Sequence, residues 1–313
     1  MLPKRVLITG GSGLLGSNLT LTLSDRFEVV ATHNQHPFYF GTTKTIEMDI
    51  TKGNEAYEII KELEPNVLIH CAGETRVDYC EDHPEEAFQL NVKGTENLVR
   101  AVSHFKAKFV YISTDSVFDG LQGMYTEEGF PNPLNVYGKT KLAGEHVVRK
   151  LAKDHLIART NIFGWNPGPK PSLAEWVLRC LEKGQIVPGF SDIYFSPILT
   201  TDLAEILAEM IISDLGGLYH IASSERCSKF DFARMISRVF EKNDALVERA
   251  FSEGAGLKAP RPKDASLNVR KVTEALGKPM PGVMEGILRF RRQLEDGYVT
   301  KLFSGSTYKE PMV

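Results

Sequence analysis

Apolar, β-branched runs alternate with stretches of helical spacing through the first half of the chain. Residues 5–9 (RVLIT) predict a buried strand. In 14–24, Leu15, Leu19 and Leu23 recur every four residues, which marks one face of a helix. The same alternation continues with strands at 27–32, 67–71 and 108–113 and helices at 53–64 and 84–104, the last with Pro84 near its start as a first-turn proline. Continuous apolar strands between helices predict a parallel sheet covered on both faces. The second half is less regular. Residues 120–135 read as a Gly/Pro-rich loop, 138–152 as a helix, 156–162 as a strand and 164–171 as a break. Helices follow at 172–183, 201–213 (with Thr200 or Thr201 as its cap), 229–241 and 282–294, and a strand at 217–222. From 301 onward the chain is polar and without period, which predicts a mobile tail or one that covers a neighbour.

Composition narrows this picture. The chain of 313 residues is 42% hydrophobic and 25% charged with a net charge of −3, an ordinary globular balance that argues against nucleic acid as a partner. No apolar run is long enough to span a bilayer, so no membrane partner is expected. Four cysteines (Cys71, Cys80, Cys180, Cys227) without a CxxC pair, and the lack of a secretory pattern, predict a reducing cytoplasm. His33 and His36 lack the companions of a metal site and read as solvated loop.

The run TGGSGLLG (Thr9–Gly16) follows the first strand and opens the first helix. Gly10, Gly13 and Gly16 satisfy GxxGxxG, and Gly11, Gly13 and Gly16 satisfy GxGxxG. Either spacing lets backbone amides approach a pyrophosphate at a helix N-terminus, so Gly10, Gly13, Leu14, Leu15 and Gly16 form a candidate dinucleotide cradle. NAD enzymes place a carboxylate after the second strand; here Thr32, His33, Asn34 and Gln35 stand there, and Glu28 lies too early. His33 and Asn34 are the candidate ribose contacts. The missing carboxylate removes a repulsion against a 2′-phosphate, and no arginine demands one, so NADP(H) is expected to be preferred with NAD(H) possible. Asp49, followed by Ile50, is a candidate for the adenine edge or else a helix cap.

Tyr137 and Lys141 form YxxxK at the start of a predicted helix, where a four-residue spacing points phenol and ammonium the same way. The ammonium is expected to lower the phenol pKa and make Tyr137 an acid or base near neutral pH. A chain with this many tyrosines and lysines holds such a pair by chance, and Tyr57 with Lys61 is a second, read as a solvated helix face. Context separates the two. Ser113 and Thr114 end a buried strand upstream of Tyr137, at the sheet edge where ligands bind, and Thr114 is favoured as the hydroxyl that completes the set. Arg261 and Lys263 are candidate diphosphate contacts or else solvated charges. Trp165, Trp176 and Phe195 are candidates for a substrate cleft or for core, and Arg159 for an internal ion pair.

These motifs, with HCAGETRVDYCEDHPEEAFQLNVKGTENL (70–98), ISTDSVFDG (112–120), YTEEGFPNPLNVYGKTKLAGE (125–145), LIARTNIFG (156–164) and KAPRPKDASLN (258–268), make the chain resemble an extended short-chain dehydrogenase/reductase of the dTDP-4-dehydrorhamnose reductase family. The resemblance implies a Rossmann-type doubly wound parallel sheet from 1–165 and 196–223, a smaller mixed C-terminal substrate-binding domain from 166–195 and 224–300, and a tail at 301–313. It implies NAD(P)H-dependent reduction of the C4 ketone of a nucleotide-linked 4-keto-6-deoxysugar. Thr114, Tyr137 and Lys141 then form the catalytic set, with Lys141 also on the nicotinamide ribose. Cys71, Ala72 and Gly73 lie where the coenzyme meets the sheet, and Asn91 supports the active-site helix and is counted with the cofactor-site residues. The substrate is a nucleotide sugar and a homodimer is possible. One departure is Ser116, where the family often carries an aromatic residue; it leaves the exact sugar open. The methionine adenosyltransferase β subunit resembles the same family, so a non-catalytic NADP-binding subunit is the alternative, as is another sugar-nucleotide epimerase or reductase. Asp115 lacks the neighbouring glutamate that related dehydratases use.

Overall fold

Strand β1 (Arg5–Thr9) alternates the two faces of the sheet: Val6 and Ile8 enter one apolar cluster and Leu7 the other. The structure, a computed structural model, describes residues 3–306. After β1 come α1 (Leu14–Leu23), β2 (Glu28–His33), β3 (Lys44–Glu47), α2 (Gly53–Leu63), β4 (Val67–His70), α3 (Val77–Asp82), α4 (Pro84–Phe88), α5 (Thr95–Ser103), β5 (Lys108–Thr114), α6 (Val136–Leu151) and β6 (His155–Thr160). The second half holds β7 (Ile162–Phe163), α7 (Leu173–Glu182), β8 (Val187–Phe190), β9 (Tyr194–Phe195), β10 (Ile198–Leu199), α8 (Thr200–Ile212), β11 (Gly217–His220), β12 (Cys227–Ser228), α9 (Lys229–Val239), β13 (Val247–Ala250), α10 (Arg270–Leu276), α11 (Val283–Glu295) and α12 (Tyr298–Ser304).

Seven strands form one parallel sheet in the order β11-β6-β5-β4-β1-β2-β3. The order reverses between β1 and β4, which opens a crevice at their carboxyl ends. This is the expected α/β, Rossmann-type doubly wound sheet. A smaller lobe sits over those ends. It pairs β8 with β13 and β9 with β12 beside α7 and α9. An aromatic chain of Phe195, Phe232, Phe163, Phe290 and Trp165 ties the lobe to the sheet. Trp165 is fully buried, stacks on Phe290 at 4.1 Å and donates its indole N–H to the Phe290 carbonyl at 3.0 Å. Of its two expected roles it has the core one.

The structure departs from the sequence reading in four places. The helix expected over 84–104 is broken by a π-helical turn, Gln89–Gly94, a form that periodicity does not reveal. The strand expected over 156–162 stops at Thr160, and Asn161 turns away before β7 pairs with β10. Neither Thr200 nor Thr201 caps α8, whose cap residue is Leu199; the Thr201 hydroxyl instead takes a bond from Gln293 at 2.9 Å. The tail is not loose from 301: α12 buries Val299, Leu302 and Phe303, and Ser306 bridges to Phe38. The remainder, 307–313, lies outside the described residues. Among the described residues no helix is long and apolar enough to cross a membrane.

Arg159 makes the internal ion pair anticipated for it. Its guanidinium meets both Glu145 oxygens at 2.8 and 2.7 Å, in full burial, and Ser113 donates to the same carboxylate at 2.6 Å. Arg159→Met leaves that carboxylate charged and buried. It should lower the unfolding free energy by about 3–5 kcal/mol, read as a reduced urea midpoint at unchanged slope.

Candidate functional site

The turn after β1 is shaped by close backbone approach. Gly10 has φ +71°, and a Cβ there would lie 2.7 Å from the Ala72 nitrogen; one at Gly16 would lie 2.1 Å from the Gly10 carbonyl oxygen. The turn thus lies flat against the segment after β4, and Gly13 opens α1 without a capping side chain. The first-turn amides of Leu14, Leu15 and Gly16 therefore remain available to an anion. This cradle, whose turn a larger residue at either glycine would force apart, fits the pyrophosphate of a dinucleotide.

The other coenzyme candidates lie along the same edge. His33 ends β2 and its ring meets Phe38 edge-on at 6.0 Å. Asn34 follows it, its carbonyl 3.2 Å from the His33 Nδ1. Asp49 follows β3 and spends one carboxylate oxygen on the Thr51 amide and hydroxyl, at 2.9 and 2.7 Å, a local turn that leaves the capping of α2 to Lys52. Ile50 is buried. Cys71, Ala72 and Gly73 lead from β4 toward α3. Burial raises the Cys71 thiol to about 12, against the nearby Lys141 charge.

Asn91 takes the supporting place expected of it, with its side-chain amide turned to the protein. It is buried, and its amide is spent within the protein: Nδ2 donates to the Glu74 carbonyl and the Thr140 hydroxyl, both at 3.0 Å, and Oδ1 accepts the Glu74 amide at 2.8 Å. It braces α6 against the segment after β4. Its carbonyl accepts the Thr95 hydroxyl, which accepts from His70 Nε2, and the Thr9 hydroxyl donates to His70 Nδ1 at 2.7 Å. Burial drops the His70 pKa to about 3, so the imidazole is neutral. The π turn carries Asn91 into this network; its support of the active-site helix was expected, and the link through Thr95 to His70 was not.

Thr114, Tyr137 and Lys141 are brought together. Thr114 ends β5 and Tyr137 sits in the first turn of α6, whose cap Asn135 accepts the Gly138 amide at 2.9 Å. A Cβ on Gly138 would come within 2.2 Å of the Ser116 carbonyl oxygen. Only glycine lets α6 come this close to the Asp115–Val117 turn, and that approach brings the phenol to the end of β5, where the Thr114 hydroxyl favours its ionised form. Lys141 is buried, its ammonium 4.2 Å from the centre of the Tyr111 ring, and desolvation lowers its pKa to about 8. Ser113 is committed to Glu145, so Thr114 is the hydroxyl that faces the phenol. The expected lowering of the Tyr137 pKa is reversed. Burial holds it above its ordinary value, the Asp115 charge adds to this, and only the Thr114 hydrogen bond opposes it. The Lys141 ammonium lies against Tyr111 and leaves the phenol's proton in place. Tyr57 and Lys61 lie on α2, with Lys61 exposed and paired to Glu58 at 3.1 Å.

Beside this set lies a cavity of about 470 Å³, walled by Trp176, Tyr194 and Phe195, with Asp115, Ser116, Asn161, Lys229 and Arg261 as its polar groups. Asp115 accepts Thr114 and Ser116 on Oδ1 at 3.1 and 3.2 Å and Asn161 on Oδ2 at 2.6 Å; burial raises its pKa. Arg261 pairs with Asp78 at 3.0 Å on the wall. Lys263 is instead engaged by Asp192 and the Ser252 hydroxyl and does not line the cavity. Asn161 and Lys229 were not anticipated. The carboxyl end of a sheet strand was a usable signal for Asn161; nothing in the spacing of Lys229 marks it.

Comparison with known proteins gives a consistent result. The RmlD substrate binding domain family profile matches residues 4–295. The chain is 30% identical to the probable low-salt glycan biosynthesis reductase Agl14 of Haloferax volcanii, over 92% of this chain and 98% of that one. It is 31% identical to methionine adenosyltransferase 2 subunit beta of Bos taurus, over 92% and 88%. A crystal structure of dTDP-4-dehydrorhamnose reductase from Bacillus anthracis in complex with NADP superposes with a TM-score of 0.83 at 29% identity, covering 93% of this chain and all of that one.

The packing of α6 is directly testable. Gly138→Ala forces the helix off the Ser116 carbonyl and should cost on the order of 1–3 kcal/mol, measured by chemical denaturation. A variant as stable as the parent would show that α6 has room to spare.

Proposed function

Because the chain belongs to the RmlD substrate binding domain family, the extended short-chain dehydrogenase/reductases that include dTDP-4-dehydrorhamnose reductases, we propose that it reduces the C4 ketone of a nucleotide-linked 4-keto-6-deoxysugar with NAD(P)H. The observation that carries this reading is the meeting of Thr114, Tyr137 and Lys141 at the carboxyl edge of the sheet, between a glycine cradle and a cavity with a polar end. The absence of a carboxylate from Thr32 to Gln35 favours NADP(H) over NAD(H).

The nicotinamide, when bound, supplies a hydride to the carbonyl carbon. Tyr137 delivers the proton that turns the ketone oxygen into a hydroxyl. Burial keeps the phenol protonated at neutral pH, so it stands loaded as a donor. The Thr114 hydroxyl accepts the Ser116 amide and rests its one proton on Asp115; to stabilise the same oxygen as negative charge develops, it turns that proton from Asp115 to the substrate. Lys141 keeps a cation beneath the site, where it supports the phenolate left behind and holds the coenzyme ribose. Asn91 and the Glu145–Arg159 pair touch neither substrate nor coenzyme and act by positioning α6.

The likeness to methionine adenosyltransferase 2 subunit beta supports a second reading, a coenzyme-binding module without turnover. Nicotinamide absorbance followed against a series of nucleotide-linked 4-keto sugars separates the two: stoichiometric NADPH loss is expected, and tight NADPH binding with no oxidation by any of them favours the module. Tyr137→Phe should lower kcat about 10²–10⁴-fold with NADPH affinity unchanged, since only the proton donor is lost. NADPH affinity should itself weaken about five-fold as pH rises through about 8, where the Lys141 ammonium gives up its proton and its charge-assisted bonds. Fluorescence titration of Lys141→Met, which has no charge to lose, should show weaker binding that is flat across that pH.

A further inference from the structure

The mechanism leaves one charged group of the cavity unused. Lys229 opens α9 directly after its cap, Ser228. It is half-buried, its Nζ lies 3.2 Å from the centre of the Phe195 ring, and among the described residues that ammonium has no hydrogen-bond or ion-pair partner. The charge it senses is the Asp115 carboxylate, with a weaker influence from Cys227. An ammonium held against an aromatic wall without an acceptor is costly, and its three donors open onto a cavity. Asp115 is the complement. Its Oδ2 has accepted only Asn161, and a carboxylate accepts about four bonds in all, so it has capacity left toward the same space.

Resting on the reading of this cavity as a nucleotide-sugar site, we infer that Lys229 and Asp115 together clamp the hydroxyl groups of the sugar ring beside the reacting ketone. The ammonium donates to one ring-hydroxyl oxygen and the carboxylate accepts from its neighbour. Two observations assign the pair to the sugar and not to the diphosphate. Asp115 bonds directly to Thr114, so the pair stands at the reacting end. Arg261, the other cation that lines the cavity, has the planar guanidinium that suits a diphosphate. Lys229 is thus a specificity-determining residue: it selects sugars that keep hydroxyls next to the ketone.

The test compares binding of dTDP with that of dTDP-glucose, by calorimetry on the full chain saturated with NADP⁺. Lys229→Met should weaken dTDP-glucose on the order of ten-fold, the loss of a charge-assisted hydrogen bond, and leave dTDP and NADP⁺ affinities as in the parent. Equal weakening of both nucleotides, or of neither, overturns the inference. A parent that binds neither these nor the corresponding UDP, GDP and CDP compounds overturns the nucleotide-sugar reading first and the inference with it, so the two failures are told apart. If Lys229→Met does not fold to the parent's thermal midpoint, Lys229→Ala is read in the same way.

Discussion

Helix α6 must lie close against the sheet edge, and Glu145 holds it there. The carboxylate faces Ser113 at the end of β5 and Arg159 in β6, so one side chain pins the helix to two neighbouring strands. Two turns earlier on the same helix stands Tyr137, pressed to Thr114 because Gly138 has no side chain to hold the Ser116 carbonyl away. The chemistry of the phenol is set at its far side by a pair of charges that never meet a ligand. A buried ion pair is weak evidence for stability in general; here its geometry does positional work, since bidentate contact fixes rotation of the helix as well as its distance.

The electrostatics of the site divide along the sheet edge. On the coenzyme side the groups are neutral or nearly so: His70 is uncharged, the Cys71 thiol stays protonated, and Lys141 carries the cation. On the cavity side Asp115 and Lys229 both line the cavity, and burial disfavours the charge of each. Tyr137 stands on the border, with its proton retained by burial. The sequence reading assumed that a lysine one turn away on the same helix dominates the phenol. In the fold the lysine leans on Tyr111, and desolvation outweighs it.

The sheet was legible from the sequence because its strands are buried on both faces and read as unbroken apolar runs, and because TGGSGLLG can only be a tight turn into a helix. Thr114, Tyr137 and Lys141 were legible because strand end and helix start carry them at recognisable spacing. What escaped was set by tertiary contact. The π turn looks helical in any periodic count. Asn161 and Lys229 come from segments far apart in the chain and meet only when the smaller lobe folds over the sheet. The direction of the Tyr137 shift depends on how much water the surrounding helices exclude, which spacing does not record.

The far end of the described chain closes on its beginning. The Tyr39 amide donates to the Gly305 carbonyl at 2.8 Å, the Ser306 hydroxyl to Pro167, and the Phe38 that bridges to Ser306 packs under the glycine turn. Three pieces from widely separated parts of the sequence therefore form one wall beside Ser12. On the ribosome, the first βαβ unit emerges long before its seal. Until residue 306 has left the exit tunnel, Phe38 and the underside of the nucleotide turn stay uncovered on that side, so the coenzyme half completes its packing only after α12 is made.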